Sequence, residues 1–207
     1  MNPLRTFTIL LVATGLLAAA PVHAAGDEAG KYVQDIGNQA LAVIRNNALN
    51  KSQKQAKLET VFSNAVDFQW VGRFVMGRFW KQATEEQKNQ YLAQYQKFLL
   101  LNYTSRFASH TSGIFKVTSS RDDGDGEFTV STQMQAGDSN GDPVLVDYRI
   151  RQMAGSYKIF DVIVEGVSLL TTQRSEFASV ITDKGIDYLI KQLADKSAAG
   201  ELAADKS

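Results

Sequence analysis

Val144-Leu145-Val146-Asp147-Tyr148-Arg149-Ile150-Arg151 sets Val144, Val146, Tyr148 and Ile150 against Leu145, Asp147, Arg149 and Arg151. That alternation is the period of a β-strand with one buried and one solvated face. Outward from this stretch the period recurs. Phe128, Val130, Thr132 and Met134 alternate with polar neighbours, and residues 114–120 and 157–165 read as two further strands. The connectors Asp122-Asp123-Gly124-Asp125-Gly126 and Gly137-Asp138-Ser139-Asn140-Gly141-Asp142 carry turn chemistry, so a four-stranded antiparallel meander is expected.

Before Gly113 and after residue 165 the period is that of helices. Tyr32, Val33, Ile36, Ala40, Val43 and Ile44 place residues 28–48 on one helix face, and Leu58, Val61, Phe62 and Ala65 do so for 52–66. Asp67 is placed to cap a third helix running to about Trp80. Thr84-Glu85-Glu86-Gln87 is a capping box that opens a long helix to about Ser109. Residues 172–184 and 186–196, split by Gly185, return to helix, and the Ala-, Gly- and charge-rich tail 197–207 is expected to be disordered. No internal repeat is present. Helices before and after one antiparallel sheet predict an α+β domain over residues 25–196, with helices on one face of a curved sheet that encloses a cavity.

Residues 1–24 read as a signal peptide: Arg5 supplies a positive start, Phe7 to Ala20 an apolar run too short for a membrane span, and Val22 and Ala24 the small cleavage positions. Cleavage is expected after Ala24, with a retained anchor as the alternative. No Cys follows for lipid attachment. Removing Arg5 from 22 basic and 22 acidic side chains leaves one acidic charge in excess, without the basic surplus of a nucleic-acid binder. The absence of cysteine excludes disulfides, thiolate nucleophiles and Cys-ligated metals.

Catalytic signatures are sparse. His110 is the only histidine after residue 24, too few for a His-based metal site, and Gly166-Val167-Ser168 lacks the second glycine of a nucleophile elbow. The two acidic turns break the calcium-loop pattern, since Phe128 and Pro143 stand where its glycine should be. Asp161, inside the apolar run Ile159 to Val164, reads either as an acid–base group in a pocket or as a structural carboxylate held by backbone amides, Arg73 or Arg78. The third helix carries two apolar stripes, Phe68-Val71-Val75-Phe79 and Trp70-Phe74-Gly77, so it is buried on both sides or lines a cavity. An apolar binding protein, an enzyme using Asp161 and an interaction or chaperone module all stay open on these residues.

Phe74-Val75-Met76-Gly77 followed by Trp80-Lys81-Gln82-Ala83-Thr84-Glu85-Glu86-Gln87 resembles a signature of the MlaC, or toluene-tolerance, family. So do Val146-Asp147-Tyr148-Arg149, Tyr157-Lys158-Ile159-Phe160-Asp161-Val162 and Glu165-Gly166-Val167-Ser168-Leu169, with Phe177 and Gly185-Ile186-Asp187 beyond. Tyr157, Asn102 and Thr171-Thr172-Gln173 depart from the family's commoner residues. The resemblance spans roughly 28–196. It implies a cone related to nuclear-transport-factor-2-like folds, and a periplasmic, non-enzymatic carrier with no cofactor whose cargo is a phospholipid held tails-in. It also implies two partners, the substrate-binding ring of an inner-membrane ABC transporter and an outer-membrane lipoprotein–porin complex. On that reading Val75, Phe79, Leu99, Tyr103, Phe107, Val130, Met134, Val146, Tyr148 and Ile150 are expected to line the pocket, with Val167 and Leu169 near its mouth, and no catalytic or metal-binding residue is expected.

Overall fold

The computed structural model describes residues 23–108, 113–136 and 142–205. The helices are α1 (His23–Arg45), α2 (Lys51–Ala65), α3 (Phe68–Met76), α4 (Glu85–Ala108), α5 (Leu169–Lys184) and α6 (Ile186–Asp205). The strands are β1 (Gly113–Gly124), β2 (Glu127–Ala136), β3 (Val144–Met153), β4 (Ser156–Val164) and the two-residue β5 (Val167–Ser168). They form one antiparallel meander in the order β1-β2-β3-β4-β5, an open, curled sheet within a mixed α+β domain.

Local chemistry sets the element boundaries. Asn50 and Gln53 close a capping box on α2, and Thr84 and Gln87 close one on α4. Asp67 accepts from Trp70 N at 3.0 Å and starts α3. The third helix ends at Met76, earlier than its apolar stripe predicts. Gly77 takes φ 56°, caps the carbonyls of Arg73 and Phe74, and opens a 3₁₀ segment, Gly77–Lys81. A side chain at Gly77 would also meet the Arg174 guanidinium, whose Nη1 donates to Phe74 O at 3.1 Å and ties α5 to the end of α3. Three tight hairpins join the strands through Asp125-Gly126, Ala154-Gly155 and Glu165-Gly166, with positive φ at both residues of each pair. Paired positive φ matches the right-handed twist of the flanking strands.

A bulge in β4 decides which residues face inward. Arg149 pairs with Asp161 but Ile150 pairs with Ile159, so Phe160 is the extra residue. The insertion switches the parity of β4. Ile159 shares a face with Ile150, whereas beyond the bulge Val162 and Val164 share that same face with Tyr148 and Val146. The chain between α2 and α3 joins β4 at this point, through a Val66–Ile159 bridge and the Asp67 N to Ile159 O hydrogen bond at 3.0 Å.

Two large apolar cores result, beside a small cluster of Ala40, Ile44 and Leu58 between α1 and α2. One lies under α1, where Ala29 and Val33 cover Phe128, Val130, Ile150 and Ile159. The other gathers α3 to α6 around Tyr91, Tyr95, Phe177, Leu189 and Leu193, and receives Phe160 from the bulge. On the opposite sheet face Arg149 and Arg151 stack on Phe160 and Arg151 also on Trp70, while both pair with Glu127.

Several expectations are corrected. The sheet has a fifth, very short strand, and α5 begins at Leu169 rather than 172. The expected disorder from Ser197 gives way to helix, as α6 continues to Asp205; Ser197 is buried and donates to Leu193 O at 2.8 Å. His110, the 137–141 connector and the signal segment as far as residue 22 lie outside the described residues.

Candidate functional site: an apolar cavity where two cores meet

A cavity of about 210 Å³ opens at the junction of the two cores, which neither fills. Met134 of β2, Val146 and Tyr148 of β3, and Val162 and Val164 of β4 form its sheet wall. Phe62 and Val66 close it from the end of α2, and Phe68 and Val71 from the first turn of α3. Leu99 and Leu100 of α4 and Leu169, Leu170 and Gln173 of α5 complete it. Among the described lining residues, four, Tyr95, Tyr148, Asp161 and Gln173, carry polar side-chain atoms.

Each of these four is engaged. The Tyr95 hydroxyl donates to Gln173 Oε1 at 2.5 Å. The Tyr148 hydroxyl contacts Met134 Sδ at 3.7 Å, and burial pushes its phenol well above the ordinary 10.0. Asp161, 5 % exposed, accepts from Ser168 Oγ at 2.7 Å and from Leu170 N at 3.1 Å. Ser168 Oγ accepts in turn from Thr171 N at 3.1 Å, so the carboxylate sits beneath the cap of α5. Of the partners left open for a structural carboxylate, the backbone amide is present, in Leu170 N, while Arg73 stacks over Trp80 and Arg78 over Phe79. The Asp161 contacts are those of a structural carboxylate. Among the described residues no three His, Cys, Asp or Glu side chains gather to hold a metal, and no helix is long and apolar enough to cross a membrane.

Of the residues nominated from sequence, the structure brings Leu99, Met134, Val146, Tyr148 and Leu169 to the cavity wall. Val130 and Ile150 lie on the same sheet face but are fully buried under α1, because α1 covers that end of the face and leaves the other open. Val75 belongs to the correct stripe of α3, yet the cavity ends at the first turn of that helix; Phe79 falls in the 3₁₀ segment beyond it, and both pack in the helical core. Val167 pairs with Val164 and stands 57 % exposed at the sheet edge beside the wall. Tyr103 and Phe107 lie in α4, but their side chains are outside the described ones. Sequence reasoning missed the β4 wall, where apolar residues occupy both parities, and the contributions of Phe62 and Gln173. Phe62 was visible in the α2 stripe, and Gln173 as the polar interruption of Leu170, Phe177 and Ile181.

The family model described as MlaC protein matches residues 34–195. The chain belongs to the MlaC family. The MlaC binding protein of an intermembrane phospholipid transport system from Haemophilus influenzae is 24% identical over 199 residues, covering 91% of each chain. The toluene tolerance protein ttg2D of Pseudomonas putida is 26% identical over 154 residues, 72% of this chain and 70% of that one. The structure of a phospholipid-binding protein from Ralstonia solanacearum, solved in complex with a phospholipid, superposes with a TM-score of 0.73 at 25% identity. It covers 84% of this chain and 98% of that one. Of the residues by which the sequence resembles MlaC, some line the cavity, as Val146, Tyr148, Val162 and Leu169 do, and others map onto joints of the fold. Gly77 stops α3, Thr84 and Gln87 cap α4, Glu165-Gly166 turn the last hairpin, and Asp161 with Ser168 caps α5.

Proposed function

We propose that the chain carries phospholipid through the periplasm between the inner and outer membranes, holding acyl chains in the apolar cavity and leaving the head group outside. The observation that carries this reading is the cavity itself: a gap between two packed cores, walled by apolar side chains, in a fold whose relative from Ralstonia solanacearum was solved with a phospholipid. An acyl chain exposed to water costs about 0.8 kcal/mol per methylene, so a chain of about 16 carbons costs on the order of 12 kcal/mol. A dry wall removes that cost as well as a bilayer does. Transfer is then nearly neutral, and the exposed intermediate is the barrier. The engagement of Asp161 in capping α5 favours a carrier over an acid–base enzyme.

Two acyl chains need a pocket at or above the top of the roughly 300–1,000 Å³ range of ordinary ligand sites, and the cavity, at about 210 Å³, falls below that range. A diacyl lipid therefore requires the wall to widen. On this reading the partners are an ABC-transporter ring at the inner membrane and a lipoprotein–porin complex at the outer one, each shielding the chains during hand-over. Native mass spectrometry of protein purified from a bacterial periplasm tests the proposal: a bound mass equal to a diacyl phospholipid is expected, and a stable, lipid-free protein would overturn it.

A further inference from the structure

The inward stripe of α5 runs Leu170, Gln173, Phe177 and Ile181. Three of these are buried apolar residues, and the fourth is an amide at a position where helix periodicity calls for another apolar side chain. Gln173 is half-buried, so a polar atom there is either partnered within the protein or left open to the cavity. Its oxygen is satisfied: Tyr95 donates to Gln173 Oε1 at 2.5 Å. Its nitrogen is not: among the described residues no acceptor takes a hydrogen bond from Gln173 Nε2, on a residue that lines the cavity. The amide is also held in place. Tyr95 stacks on Tyr91 with ring centroids 5.5 Å apart at 8°, and Phe177 packs edge-on against both rings. A fixed hydroxyl that grips the oxygen fixes the direction in which the nitrogen points.

We propose that Gln173 reads the ester linkage of a bound glycerolipid, its Nε2 donating to an acyl-ester carbonyl. The assignment rests on the carrier reading and deepens it. A lipid held tails-in must bring its ester carbonyls, which are acceptors only, to the apolar wall, where each is costly if left unpaired. The wall must then supply a donor. Asp161 cannot, because a carboxylate is an acceptor. The Tyr95 hydroxyl is spent on Gln173, and that of Tyr148 is turned to the Met134 sulfur. Among the described lining residues the Gln173 amide is the donor that remains, and its orientation by Tyr95 lowers the ordering cost of the contact.

The test offers the purified protein vesicles holding equal amounts of diacyl phosphatidylethanolamine and its dialkyl ether analogue with matched chains, and reads bound lipid by native mass spectrometry. The ether lipid lacks both carbonyls. The unaltered protein is expected to favour the ester lipid by about three- to tenfold, the range of one hydrogen bond. The double variant Tyr95→Phe/Gln173→Met removes both partners with little change of shape and should bring the ratio close to one while lipid is still bound. No ester preference in the unaltered protein would overturn the assignment. So would a preference that survives the double variant, or one lost in Tyr148→Phe instead. Failure of the unaltered protein to take up either lipid would instead overturn the carrier reading.

Discussion

Replacing Asp161 with asparagine separates a structural carboxylate from a reactive one. The side chain keeps its shape and its Oδ1 can still accept from Leu170 N, now at 3.1 Å. The other oxygen becomes an NH₂ group facing Ser168 Oγ, at 2.7 Å in the unaltered protein. Ser168 Oγ, which also accepts from Thr171 N, must turn its own hydrogen away from Asp161 to accept from that group. Two charge-assisted hydrogen bonds, each worth about 1.5–3 kcal/mol, are thus exchanged for one neutral bond of about 0.5–1.5 kcal/mol and a mismatch. The favourable interaction of a carboxylate with the start of α5, about 0.3–1 kcal/mol, is lost as well. Because Asp161 also lost solvent on folding, only part of this gross change survives, and a net destabilisation of about 2 kcal/mol is expected. For a domain of this size that lowers the melting temperature by about 4–8 °C. Thermal unfolding followed by circular dichroism measures the shift, and native mass spectrometry of the same sample below its transition measures bound lipid. The expected pair is a lowered transition with lipid retained. An unchanged transition would remove Asp161 from the scaffold, and lipid lost at an unchanged transition would make it a group that acts on the cargo.

Val146, 5 % exposed in the sheet wall, borders open space, so Val146→Glu should leave the protein folded by circular dichroism and empty of lipid; co-purifying lipid would place the cargo elsewhere. A Cβ at Gly37 of α1 would lie 2.2 Å from Phe115 Cδ1 and 2.8 Å from Cγ, so the whole ring must move. Gly37→Ala should therefore destabilise despite a helix-propensity gain of about 1 kcal/mol, since overpacking costs about 1–3 kcal/mol; a raised melting temperature would contradict the packing. Burial pushes the phenols of Tyr91 and Tyr148 far above the ordinary 10.0, so the unfolded chain releases these protons first as pH rises. Their contribution is fully present below pH 10 and is lost progressively above it, so denaturant midpoints should fall there; Tyr91→Phe, which removes one such group, should flatten the fall.

Alternation and caps were the legible part of this fold. Val144 to Arg151 announces a strand whichever elements surround it, and Asp67 and Thr84 mark helix starts through bonds made within three residues. Glu165-Gly166 was harder to read because the strand beyond it is two residues long and shows no period. The end of α6 failed for another reason. An Ala-rich tail looks unable to bury surface on its own, but helix α6 packs along α4, and that support is invisible locally. The site was only half legible. Periodicity says which side of a strand or helix turns inward; it does not say whether another element waits there. Val130 and Val146 occupy the same sheet face, yet α1 covers the first and the second borders the cavity.

The β4 bulge explains how one strand serves the sheet core, the helical core and the cavity together. A regular strand offers two faces, and here both were needed for packing. With Phe160 as an extra residue, Ile159 continues the core beneath α1, while Val162 and Val164 regain the same face farther along and form the cavity wall. Phe160 itself enters the helical core, where Arg149 and Arg151 cover its ring. Asp161, next along, turns to the α5 cap and so fixes the helix that carries Leu169, Leu170 and Gln173. The irregularity therefore holds the two cores at a fixed offset, and the cavity is the space that this offset leaves. That is also why an apolar run from Ile159 to Val164, broken by one carboxylate, is the sequence trace of the site: Ile159 serves the core beneath α1, Phe160 the helical core, Asp161 the α5 cap, and Val162 and Val164 the cavity wall.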